Sequence, residues 1–124
     1  MPDISNRTDI YNIVKQFYVK LKDDAVLKHF FASFDTDEKL EHHLQILVDF
    51  WDHQLFYTGS YRRNAMQPHL NLHHKFPFKK EHFEQWLKLF NQTVDELFDG
   101  IKAHQAKNKA QSIATIIQIK ISQL

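Results

Sequence analysis

The chain has no cysteine, and its 124 residues include only two glycines and three prolines. The missing thiol excludes a disulfide, an iron–sulfur cluster and any cofactor or metal held through thiolate. Few glycines and prolines mean few turns, which favours helices over the many short strands of an all-β protein. No segment alternates apolar and polar residues over any length, apart from the β-branched run at 116–121.

Neither sign of charge dominates, because 16 Lys and Arg oppose 15 Asp and Glu for a net charge of +1. A nucleic-acid groove needs a basic surplus, so we expect no nucleic-acid partner. No run approaches the ~20 apolar residues of a membrane span, and the polar residues 1–7 lack a signal-peptide core. We therefore expect a cytoplasmic protein without a membrane partner, folded as a single domain over residues 1–124.

Apolar side chains recur at helical spacing in four long segments. These segments cover residues 9–21, 36–57, 79–98 and 101–122. Thr8 or Asp9 is the expected cap of the first helix, and Asp35 or Thr36 is the expected start of the second. The stretch 60–78 is expected to be irregular, with one short helix over 63–70. The predicted fold class is all-α.

Aromatic residues and histidines are plentiful, with eleven Phe and nine His. Four polar side chains stand out because they lie on or beside apolar helical faces: Tyr18, His43, His69 and Trp86. Each has an ordinary interpretation, as a core Tyr or Trp, a boundary His or a loop His. Together they suggest a dry pocket with one imidazole-bound metal, which is how apolar helices hold a haem.

The order and spacing of several short sequences resemble those of group III truncated haemoglobins over about residues 10–119. The sequences are Phe17-Tyr18, His43 followed by Phe50-Trp51, Gly59-x-Tyr61 before His69, and His82-Phe83-x-x-Trp86-Leu87-x-Leu89-Phe90. The resemblance implies a truncated globin, a two-over-two helical sandwich around one haem b. Without a C-x-x-C-H sequence, the haem would be bound non-covalently.

The resemblance also implies roles for individual residues. His69 would be the proximal iron ligand, and Tyr18, His43 and Trp86 would be the distal residues that stabilise a bound ligand. The remaining haem contacts would come from Phe17, Phe31, Leu47, Arg62, Arg63 and Phe90. Phe31 would pack flat on the porphyrin, while either arginine could pair with a propionate.

Three local features depart from the family pattern. Arg62-Arg63 stands where the family tends to carry a small residue, and Ala65 replaces an expected proline. His73-His74-Lys75 looks like an insertion. Because His73 follows His69 by four residues, it is an alternative iron ligand.

The implied function is reversible binding of oxygen, nitric oxide and carbon monoxide. Donors such as Tyr18 and Trp86 would stabilise the charge on oxygen and give high affinity. Such affinity suits nitric oxide oxidation or peroxide reduction, with electrons from an unknown reductase. Peroxide chemistry favours a carboxylate behind the proximal histidine, and none is near His69 in the sequence.

Two other classes remain open from the residues alone. A non-haem carrier of hemerythrin type needs carboxylates at helical spacing from histidines, and no His here has Asp or Glu four residues later. A zinc site through His42, His43, His73 and His74 would lack any specific spacing. A cofactor-free helical binding module would have the same apolar stripes as ordinary core.

Overall fold

A computed structural model describes all 124 residues and contains five α-helices, one short 3-10 helix and no strand. The α-helices are α1 (Arg7–Asp23), α2 (Asp37–Phe56), α3 (Met66–Lys75), α4 (Lys80–Leu97) and α5 (Ile101–Ser122). The 3-10 helix covers Lys28–Phe31, between α1 and α2. None of the five helices combines the length and apolarity needed to cross a bilayer.

The four long predicted helices are confirmed, with ends that differ by at most two residues. Of the two residues predicted to start α2, Asp35 and Thr36, it is Thr36 that caps the helix, because its Oγ1 accepts a hydrogen bond from the Lys39 amide. The predicted cap of α1 was wrong. Asn6 caps this helix by accepting from the Asp9 amide, and the Asp9 carboxylate reaches back to accept from the Ser5 amide. The first bond satisfies an amide that a helix start leaves unpaired, and the second joins the preceding chain to the first turn.

The predicted short helix over 63–70 is also displaced, since α3 runs from Met66 to Lys75. Asn64 Oδ1 accepts from the amides of Met66 and Gln67, which fixes the helix start after Asn64. Pro68 is tolerated because it lies in the first turn, where no intrahelical amide bond is needed. His69 therefore lies inside a helix, and the apparent insertion forms the last turn of α3.

The core is built around α1, which packs on α2 and α4, while α5 closes the bundle against α4 and α2. Twenty buried side chains form one continuous cluster in these elements and their connections. The helix α3 differs from the others because none of its residues is fully buried and its main packing is on α5. Its position therefore depends less on core packing than that of any other helix.

The N-terminal segment is joined to the start of α5. Asp3 accepts hydrogen bonds from the amides of Lys102 and Ala103, each at 2.9 Å, and so caps this helix. Gly100 has φ 145, and a Cβ at this position would come within 2.5 Å of Asp3. Only glycine combines this backbone conformation with so close an approach.

Candidate functional site

Tyr18 and His43 meet between α1 and α2. The Tyr18 hydroxyl lies 2.8 Å from His43 Nε2, and the Tyr18 side chain is 7% exposed. The Tyr18 ring also makes edge contacts with Phe31 at 5.3 Å and Phe34 at 6.3 Å, and Phe34 stacks on His43 at 4.3 Å. These rings hold the hydroxyl and the imidazole in an apolar environment.

Burial decides the protonation of this pair. It raises the pKa of Tyr18, so the phenol keeps its proton. Burial, followed by the charges of His69 and His42, lowers the pKa of His43 to about 4, so its ring is neutral at pH 7. When the His43 proton is on Nε2, it donates to the Tyr18 oxygen. Tyr18 can then donate its own proton to a third group.

Trp86 lies on α4 and contacts Phe17, the residue that precedes Tyr18 on α1. Its ring contacts Phe17 edge-on at 5.5 Å and stacks on Phe90 at 5.7 Å. Phe90 is only 1% exposed and is enclosed by Phe17, Trp51 and Trp86, so it supports Trp86 from behind. The Trp86 indole N–H makes no hydrogen bond within the chain, although an indole has one donor to satisfy.

His69 lies on α3 with one nitrogen engaged. Its Nδ1 is 2.7 Å from the carbonyl oxygen of Ala65, so Nδ1 must carry the proton and donate it. Burial lowers the pKa of His69 even though the Ala65 hydrogen bond opposes this shift. A neutral ring with its proton on Nδ1 has a free lone pair on Nε2, which is the form that binds a metal.

His73 adopts the opposite arrangement one turn further along α3. Its Nδ1 accepts a hydrogen bond from the Phe78 amide at 2.9 Å. The proton of a neutral His73 ring is therefore on Nε2, and neither nitrogen has a free lone pair. Of the two histidines, the geometry favours His69 as a metal ligand.

His43 on α2 and His69 on α3 lie close enough to interact electrostatically. His69 contributes to the lowered pKa of His43, so the two rings lie within electrostatic range of each other. Leu47 lies one turn after His43, and Leu72 lies three residues after His69, so each shares its histidine's helical face. Both leucines are half-buried and pack against the edge of the core. The imidazoles thus lie among apolar groups.

The predicted propionate partners are exposed in the connection between α2 and α3. Arg62 Nε donates to the Gly59 carbonyl at 3.4 Å, and neither Arg62 nor Arg63 pairs with a carboxylate. Both guanidinium groups are free to pair with an anionic group. The connection itself is fastened to α2, because Ser60 donates to Asp52, which is 6% exposed and also binds Arg7.

The sequence analysis did not identify two residues that position His69, Asn64 and Ala65. Asn64 caps α3, and the Ala65 carbonyl fixes the tautomer of His69. The preference of asparagine for helix starts was a usable signal for the first. The second had none, because a backbone carbonyl is offered by every residue.

The donor set fits haem iron. A pentacoordinate haem needs one neutral imidazole with a free lone pair, apolar neighbours and O–H or N–H donors near the ligand. His69 offers the imidazole, and Tyr18 and His43 offer the donors. No three His, Asp or Glu side chains come together in a group that could hold a metal ion, so the hemerythrin-type and zinc hypotheses gain no support.

Comparisons with known proteins identify the family of the chain. The model of the bacterial-like globin family matches residues 3–120. The group 3 truncated haemoglobin of Campylobacter jejuni is 30% identical over 115 residues, which cover 91% of this chain and 88% of that protein. The crystal structure of a group III truncated haemoglobin from Campylobacter jejuni superposes with a TM-score of 0.87 at 28% identity, over 98% of this chain and 95% of that chain.

The predicted family and fold are therefore confirmed, and the cofactor-free module loses its basis because globins are haem proteins that bind diatomic ligands. The chain belongs to the bacterial-like globin family and, within it, to the group III truncated haemoglobins.

Proposed function

We propose that the chain, as one domain over residues 1–124, binds a single haem b non-covalently through His69 Nε2. The haem iron would supply an open position for oxygen, nitric oxide or carbon monoxide. The observation that carries this proposal is the Nδ1 hydrogen bond to Ala65, which leaves the Nε2 lone pair of His69 free. Phe17, Phe31 and Leu47 would enclose the haem, with Phe90 behind them and Arg62 or Arg63 on a propionate.

On the distal side, Tyr18 and Trp86 would donate hydrogen bonds to a polar ligand. The high pKa of Tyr18 keeps its proton in place, and the Trp86 N–H has no partner within the chain. In a low-dielectric pocket such donors stabilise a ligand that acquires negative charge. Oxygen gains more from them than carbon monoxide, which is less polar.

His43 would act on the ligand through Tyr18. At 2.8 Å its Nε2 can donate to the Tyr18 oxygen, which turns the phenolic proton toward the pocket. When its proton is on Nδ1, a neutral His43 can instead accept a hydrogen bond from the Tyr18 hydroxyl at Nε2, and the phenol keeps its proton. The pair therefore offers a donor that switches direction without a change in net charge.

The proximal side favours ligand binding and nitric oxide oxidation over peroxide reduction. His69 Nδ1–H donates its hydrogen bond to the neutral carbonyl of Ala65. A carboxylate in that place would make the imidazole a stronger electron donor. A strong electron push assists O–O cleavage, and this chain lacks it on the proximal side. Turnover of nitric oxide would require an external reductase.

The decisive experiment is an absorption spectrum of the ferric, ferrous and carbon monoxide-bound protein, with His69→Gly measured beside wild type. We expect a Soret band that shifts with carbon monoxide, is weakened in the variant and returns on addition of imidazole. His73→Gly is the matched control, because it removes the neighbouring histidine of the same helix, and its spectrum should match wild type.

Two results would overturn the proposal. If wild-type protein showed no Soret band after reconstitution with haem, the proposal that the chain binds haem would be rejected. Normal haem binding in His69→Gly without imidazole, together with its loss in His73→Gly, would transfer the ligand role to His73.

A further inference from the structure

The charge of the chain is divided unevenly along its length. The 28 residues 53–80, which we call the basic segment, contain five Lys and Arg and no Asp or Glu. The other 96 residues contain eleven Lys and Arg and all fifteen Asp and Glu. A net charge of +1 therefore conceals a segment of +5 joined to a remainder of −4.

The cations of the basic segment are exposed and largely unpaired. They are Arg62, Arg63, Lys75, Lys79 and Lys80. One carboxylate approaches them, Glu84 at 3.8 Å from Lys80, and both of these side chains are mostly in solvent, so the pair is weak. Elsewhere, Arg7, Lys20 and Lys107 bind carboxylates at 3.2 Å or less. Only the basic segment keeps a concentrated positive charge available to a partner.

The basic segment also surrounds the candidate iron ligand. It consists of the end of α2, the whole of α3, the connections on either side and the first residue of α4, with His69 in the middle of α3. Two arginines precede this helix, and three lysines lie at its end and just beyond it. A macromolecule attracted to these charges would therefore be held against the helix that carries the proximal histidine.

We propose that the basic segment is the docking surface for an acidic electron-transfer protein that reduces the haem iron. This inference rests on the proposed function, which requires ferrous iron. The partner would lose one electron and ferric iron would gain it, with no bond formed or broken. Even with both arginines on propionates, Lys75, Lys79 and Lys80 would remain to attract the partner. Charge complementarity of this kind raises association rates about 10- to 1,000-fold and is screened by salt.

The test uses anaerobic stopped-flow reduction of the ferric holoprotein by reduced flavodoxin, an acidic flavoprotein, as the probe. We expect the second-order rate constant to fall about tenfold between roughly 20 and 300 mM salt. The Lys75→Glu/Lys79→Glu variant should be slower by about tenfold at low salt and should lose most of the salt dependence. The control Lys109→Glu/Lys120→Glu makes the same change in net charge at exposed positions of α5 and should stay within about twofold of wild type.

A second readout does not depend on haem chemistry. Carbodiimide joins lysines to carboxylates in a docked complex, and the cross-links to flavodoxin should map to Lys75, Lys79 and Lys80. Cross-links spread over the surface, or equal slowing by both double variants, would overturn the docking proposal. So would tight binding of wild type, and not of the Lys75→Glu/Lys79→Glu variant, to phosphatidylserine vesicles at physiological salt. If the His69 experiment showed that the chain binds no haem, cross-linking to flavodoxin could still be measured. The two proposals can therefore be rejected independently.

Discussion

At the level of single residues, the hydroxyl of Tyr18 is the group whose removal is most informative. In the proposed site its buried O–H would donate to the ligand, and a hydrogen bond to a charged acceptor is worth roughly 1.5–3 kcal/mol. We therefore expect Tyr18→Phe to speed oxygen release about 10- to 100-fold, with a much smaller effect on carbon monoxide. Laser photolysis and stopped-flow mixing would measure both rates, and Trp86→Phe should act in the same direction.

The chain offers a matched control for this change. Tyr11 lies on the same helix, but its hydroxyl donates to Glu41 at an exposed position. Tyr11→Phe removes the same atom and should leave both gas rates unchanged. If Tyr18→Phe accelerated both gases equally, the effect would be steric, and the role of Tyr18 as a polar donor would be rejected.

The protonation of His43 gives a pH prediction. Its pKa falls from 6.5 to about 4 in the folded protein, so between these values only the unfolded chain takes up the proton. Stability contributed by a neutral His43 is therefore complete above pH 6.5 and decreases as the pH falls toward 4. NMR titration of the diamagnetic carbon monoxide form should show His43 still neutral at pH 5. A midpoint near 6.5, assigned with His43→Gln, would contradict the buried pair.

At the level of secondary structure, α3 combines the candidate iron ligand with the weakest anchoring. It has ten residues and no fully buried side chain, and short helices are marginal without support at their ends. Asn64 supplies that support and also fixes the peptide that carries the Ala65 carbonyl. The contacts from Asn64 to Ala65 to His69 make Asn64 a positioning residue for the His69 imidazole.

We expect Asn64→Ala to destabilise the start of α3 by about 1 kcal/mol and to loosen His69. The iron–histidine stretching band in resonance Raman spectra should broaden or shift, and acid should release the histidine at higher pH. Asn64→Asp should restore both properties, since aspartate is an equivalent cap. Asn108→Ala, at an exposed position of α5, is the control. An unchanged band in Asn64→Ala would show that the cap does not position the ligand.

At the level of the whole molecule, the bundle and α3 should respond differently when the proposed bond from His69 to the haem is removed. In His69→Gly with imidazole, the haem stays bound but no longer tethers α3. Amide hydrogen exchange should then accelerate in α3 and its connections and stay unchanged in α1, α4 and α5, which share the core. Equal acceleration in all helices would mean that α3 and the bundle unfold as one unit.

The difference between α3 and the rest of the bundle also explains how much of the fold and the candidate site could be predicted from the sequence. The four long helices follow from apolar periodicity, because their stripes are buried in the structure. The bounds of α3 do not, since this helix buries no stripe and begins where Asn64 makes two hydrogen bonds. The roles predicted for Tyr18 and His69 came from the resemblance to a family, and they stay predictions. The tautomers of His69 and His73 depend on Ala65 and on the Phe78 amide, whose positions no pattern of residue types reveals.

The cap that Asp3 places on α5 has a consequence for the order of folding. Its two hydrogen bonds join residues separated by 99 and 100 positions in the chain. Closing so long a loop costs entropy that only the assembled helices between its ends can repay. The first turn of α5 should therefore be completed late, after the helices have packed. Changes at Asp3 would then accelerate unfolding and leave the folding rate nearly unchanged.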